Sequence, residues 1–108
     1  MNNKINTQML ERIESHLELH HGVNPFSIEK RVAYLVYYAI YSSDFKSETV
    51  KTIVENAYEL YLGHEGQIQT TLVAFQRSVY RAIKTMFPDQ IANIKRVIND
   101  IAFNEILN

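Results

Sequence analysis

Apolar residues return every three or four positions along nearly the whole of this chain, and no segment alternates apolar and polar residues over the length of a strand. That spacing commits the backbone to helices, because a 3.6-residue repeat gathers such positions on one side of a helix but scatters them over both faces of a strand. The expected fold is therefore all-α, a compact bundle of about five helices. With 108 residues, 46% hydrophobic and 21% charged, the chain suits one helical domain, residues 1–108, able to bury a single core.

Helix 1 is expected over residues 7–20, with Met9, Leu10, Ile13 and Leu17 on one face, before Gly22 supplies a left-handed cap and Pro25 resists continuation. Ser27 then caps helix 2, about residues 28–42, which is apolar on two sides. Ile28, Val32, Leu35, Val36 and Ala39 form one stripe, and Tyr34, Tyr37, Tyr38 and Tyr41 form another roughly opposite it. The tyrosines are open to two interpretations: packing under further helices, with each phenol finding a partner, or an interface for another protein. Ser47 is the expected cap of helix 3, which carries Val50, Ile53, Val54, Ala57 and Tyr61 on one face until Gly63 stops it. The link 63-GHEGQIQT-70 lacks a helical period. Helix 4 covers residues 71–87 and is ended by Pro88. Asp89 then caps helix 5, whose Ile91, Ile94, Val97, Ile98 and Ile101 make a continuous apolar face.

Net charge is −1, but it is unevenly spread. Residues 1–66 hold six Lys/Arg against nine Asp/Glu, whereas residues 67–97 hold Arg77, Arg81, Lys84, Lys95 and Arg96 against Asp89 alone. Such asymmetry points to a side that meets a polyanion. Within 69-QTTLVAFQRSVYRAIK-84 the charge has a direction. Leu72, Phe75, Val79, Ala82, Ile83 and Met86 share the face that must be buried, while Thr70, Ala74, Arg77, Arg81 and Lys84 share the other. The hydroxyls of Thr70 and Thr71 stand at the helix start, where they can cap free N–H groups that can also meet a phosphate. Helix 3, its glycine-containing link and helix 4 follow the order of a helix-turn-helix, residues 47–87, in which the second helix enters the major groove.

This segment resembles the DNA-binding effector domain of the response-regulator family that initiates sporulation in endospore-forming bacteria. That family shows a Thr-Thr pair before its recognition helix and then a pattern close to Ser-Arg-Val-Glu-Arg-Ala-Ile-Arg-His-Ala-Ile. Thr70 and Thr71 match the pair, Phe75 takes the Val place, Gln76 the Glu place and Arg77 the Arg. Ser78 and Val79 stand at Ala and Ile, and Ala82 and Ile83 repeat the closing Ala-Ile. Upstream, Gly22-Val23 is similar to the family's Gly-Val-Pro turn and Ala39-Ile40 to the Ala-Ile that closes its next helix. The likeness spans about residues 10–100 and is strongest over 70–86. It implies a fold of packed helices and a DNA-binding ancestry, with Thr70, Thr71, Gln76 and Arg77 as the matched contact residues. Val73 and Ala74 replace the family's Ser-Arg, and Tyr80 replaces a basic residue.

The expected function is a small DNA-binding transcriptional regulator. Arg77 and Arg81 would contact bases or phosphates, and Lys84 and Lys95 phosphates; tight binding would need a homodimer on paired half-sites. The alternative is a protein-binding module, an inhibitor or immunity-type protein, that keeps the bundle without binding DNA. No cysteine supplies a disulfide or a thiolate. No apolar run approaches a membrane span and the start lacks signal-peptide order, so a cytoplasmic protein without a membrane partner is expected. His16 and His20 are four apart, as zinc ligands on one helix can be, but no third ligand is indicated, so no metal or other cofactor is expected. Glu55 and Glu59 are likewise four apart with no nucleophile or phosphate loop beside them, and no enzyme activity is expected.

Overall fold

The computed structural model describes residues 5–66 and 70–108, with the backbone alone for 90–92. Local chemistry sets both ends of α1, Thr7–His21: the Asn6 side chain accepts a hydrogen bond from the Met9 N–H, and Gly22 takes a left-handed φ of 70°. The Gly22 and Val23 N–H groups both donate to the Leu17 carbonyl, which turns the chain sharply off the helix. A 3-10 turn, Ile28–Arg31, begins at Ser27, whose hydroxyl accepts from the Glu29 N–H, and runs into α2, Val32–Tyr41.

α2 forms the axis of the molecule. Residues 32–37 and Ala39 are buried, and all four other α-helices pack against it. A helix coated with apolar residues on both sides has no other stable position in water. Around it stand α3, Val50–Glu65; α4, Leu72–Met86; and α5, Ile94–Asn99. α5 follows a 3-10 turn, Pro88–Asn93, and continues as a π-helical turn, Asp100–Ile106. Every regular element among the described residues is helical, as the apolar period requires.

Three boundaries differ from the sequence expectation. The cap of α3 is Thr49, whose hydroxyl accepts from the Thr52 N–H at 3.3 Å, while the Ser47 hydroxyl donates to the Asp44 carbonyl and closes the preceding turn. α3 passes through Gly63 and ends at Gly66, the residue with a positive φ of 78°. Helix 5 is not uniform, and Asp89 lies in a 3-10 turn without a side-chain cap. The wider winding after Asp100 has a packing reason: it brings Ile101 and Ile106, five residues apart, to the core together, and both are buried. Residues 67–69 of the link and the side chain of Ile91 lie outside the described residues.

Candidate nucleic-acid interface

α4 starts at Thr71, whose hydroxyl accepts from the Ala74 N–H at 3.1 Å. One side of the helix carries Phe75, Val79, Ala82 and Ile83, all fully enclosed. Phe75 sits between the rings of Tyr58 and Tyr61, with centroids 5.5 and 5.3 Å away. Truncating a ring so placed costs about 3–5 kcal/mol, so this side fixes the rotation of α4 about its own axis. Ser78 is also buried; its hydroxyl donates to the Phe75 carbonyl at 2.7 Å, which satisfies it without water.

The rotation so fixed leaves Ala74, Arg77, Arg81 and Lys84 exposed. Among the described residues no carboxylate lies within ion-pair distance of these three cations. Arg77 and Arg81 are four residues apart, the spacing at which like charges repel along a helix, so the pair is mildly unfavourable until an anion joins it. Val73, 56% exposed, stands beside Ala74 on the first turn and gives the row an apolar leading edge. At the far end of the helix the Thr85 hydroxyl donates to the Glu29 carboxylate at 3.3 Å.

The remaining expected contact residues have other partners. Thr70 accepts hydrogen bonds on both its oxygens, from Arg31 Nη2 at its hydroxyl and from the Tyr58 phenol at its carbonyl. It therefore secures the entry to α4, and the Thr71 hydroxyl is occupied as the cap. Gln76 is half-buried and donates to the Tyr80 phenol at 3.1 Å, beside a groove of about 310 Å³ bordered by Val50, Lys51, Glu55 and Leu72. Lys95, expected on phosphate, is held elsewhere: its Nζ donates to the Lys46 and Glu48 carbonyls, each at 2.7 Å, and lies 5.6 Å from the Phe45 ring centroid. It ties α5 to the turn before α3 and does not belong to the basic row.

The tyrosine stripe is largely interior. Tyr34 and Tyr37 are 1% and 6% exposed. The Tyr34 phenol donates to Glu65 Oε2 at 2.8 Å, and Tyr37 accepts from the Asn6 N–H at 2.8 Å. Burial, the bond to Glu65 and that carboxylate's charge raise the Tyr34 phenol far above its ordinary value. Tyr38 is half-buried; it donates to Glu48 and accepts from Asn56 Nδ2 at 2.8 Å. Of the four, Tyr41 alone is exposed, at 51%, and Tyr34 and Tyr37 lie in the core.

His16 and His20 do not act as a pair. His20 lies ring to ring against His16, with centroids 4.6 Å apart, while the Nε2 atoms of His16 and His21 each lie 2.7 Å from Glu105 Oε1. Burial pushes the Glu105 carboxyl up, but the two histidine hydrogen bonds and the histidine charge outweigh it and hold the group below the usual carboxylate value. A third donor therefore exists beside the histidines, contrary to the sequence expectation.

Among the described residues no helix is long and apolar enough to cross a membrane. In comparisons with known proteins, the chain matches no protein-family model, no curated protein and no solved structure.

Proposed function

We propose that the protein binds double-stranded DNA through the exposed face of α4. The observation that carries this proposal is the row Arg77, Arg81 and Lys84, open to solvent and without carboxylate partners among the described residues, on a helix whose opposite side is locked in the core. Three cations on two successive helical turns suit phosphate oxygens or guanine edges, and Val73 and Ala74 suit a thymine methyl. The resemblance of residues 70–86 to the effector domains of sporulation-initiating response regulators supports the same use of this helix, with regulation of transcription as the outcome. One short helix buries little surface, so binding as a homodimer on paired half-sites belongs to the proposal.

The test is fluorescence anisotropy on labelled duplex DNA across a salt series. The parent protein should bind at low salt with an affinity that falls as salt rises, and Arg77→Ala with Arg81→Ala should lose affinity and flatten the slope by about 0.9 for each phosphate contact removed. Equal affinity and slope in parent and variant would remove α4 from the interface. Absence of any binding at micromolar protein would favour a protein-binding module instead. The feature that favours that second function is Phe26, 95% exposed on a turn that its own N–H closes by donating to Asn24 Oδ1.

A further inference from the structure

We propose that His16, His21 and Glu105 form a site for a divalent first-row transition metal of the zinc type, which would staple the C-terminal turn to the end of α1. The donors come from two elements 84 and 89 positions apart in sequence, yet both imidazole Nε2 atoms lie 2.7 Å from one carboxylate oxygen. All three ligand atoms fall within 4.8 Å of one another. A tetrahedral zinc ion with bonds of about 2.0–2.1 Å keeps its donors roughly 3.4 Å apart. The two short spacings must therefore open by about 0.7 Å to admit the ion.

The surroundings fit such a site. The His16 and His21 side chains are 19% and 12% exposed and Glu105 is 32% exposed, so the donors are sheltered on the protein side and reachable from solvent on the other. Three protein donors leave a fourth position for water. The Phe87 ring, 5.2 Å from that of His21, and the His20 ring against His16 restrict both imidazoles. The Glu105 side is held as well: Arg12 Nη2 donates to the Ile106 carbonyl at 2.6 Å, and the Leu107 N–H donates five residues back to Ala102 in the π-helical turn. Turns of this winding recur at functional sites.

The donor set selects the metal. Two imidazoles and one carboxylate suit zinc, cobalt or nickel, whereas calcium and magnesium take oxygen donors. Each neutral imidazole must carry its proton on Nδ1 to offer the Nε2 lone pair, and a protonated one must release its Nε2 proton to solvent. Metal binding thus replaces the two hydrogen bonds to Glu105 rather than adding to them.

The experiment is calorimetric titration of the full chain with zinc, repeated with cobalt to read its visible absorption. One equivalent should bind, and the cobalt form should show the strong bands of four-coordinate geometry. His16→Ala, His21→Ala and Glu105→Gln should each weaken zinc by more than about 100-fold, beyond the range for losing an outer-shell partner, while His64→Ala leaves it unchanged. NMR of the parent needs no variant to fold: zinc should shift the imidazole resonances of His16 and His21 and spare those of His64. No saturable binding, or binding that His64→Ala lowers as much as His21→Ala does, would overturn the site and leave the three residues as a hydrogen-bonded clasp.

Discussion

Arg31 Nη2 donates to the Thr70 hydroxyl at 3.2 Å, across 39 residues of sequence. The same guanidinium reaches Ser78 Oγ at 3.4 Å and lies 5.1 Å from the Tyr61 ring centroid, so one side chain from the turn before α2 touches the entry to α4, its second turn and α3. Arg31→Met keeps most of the stem and removes the donors. It should lower unfolding free energy by about 1–3 kcal/mol, the range for bonds that involve a charged group. Urea denaturation with an unchanged midpoint would show that α4 does not depend on this residue.

The glycine inside α3 and the one that caps it should respond in opposite senses. Gly63 is inside the helix and an added Cβ meets nothing within 4 Å, so Gly63→Ala should stabilise by about 0.5–1 kcal/mol. Gly66 has open space as well but sits at φ 78° and ψ −76°, so Gly66→Ala should cost at least about 1 kcal/mol from backbone strain alone. Thermal melts of the two variants should move to opposite sides of the parent. A common direction would mean that α3 does not end where the φ value changes sign.

Two lysines once grouped by charge should separate by assay. Lys84→Ala should leave the denaturation midpoint where it is and reduce both DNA affinity and its salt slope, because Lys84 is exposed. Lys95→Ala should lower stability by about 1–3 kcal/mol, since its ammonium bridges two carbonyls and its loss leaves them short of a donor. Its effect on the salt slope should be nil. Reversed results would exchange the roles of the two residues.

Alkaline pH should destabilise the fold through Tyr34. Its folded value lies above the ordinary phenol value near 10, first because it is buried and then because it donates to Glu65. Below pH 10 both native and unfolded chains hold the proton and no difference arises. Above it the unfolded chain loses the proton first, the native state binds more protons, and stability falls as pH rises toward the folded value. Tyr38 is shifted in the same direction. Tyr34→Phe should flatten the stability profile above pH 10, and a profile as steep as the parent's would assign the loss to other groups.

What the sequence disclosed and what it concealed divide by range. The inward and outward sides of α4 were legible because a wheel needs nothing beyond neighbouring residues, and Phe75, Val79, Ala82 and Ile83 lie where that wheel places them. Helix number and the Gly22 cap were legible for the same reason. The tyrosines of α2 were ambiguous because their acceptors and donors, Glu65 for Tyr34 and Asn6 for Tyr37, are each 31 positions away. Lys95 was grouped with the other cations by charge alone, which cannot reveal its carbonyl partners 47 and 49 residues upstream. Glu105 was hidden from the histidines by almost the whole chain length.

The enclosure of α2 governs how the molecule comes apart. Residues 32–37 and Ala39 are buried and four other helices pack against the segment, so no partial fraying of a single outer helix uncovers its amides fully. Deuterium should enter this segment last, at a rate set by concerted opening of the entire assembly, and the slowest-exchanging protons of the chain should therefore report its global unfolding equilibrium.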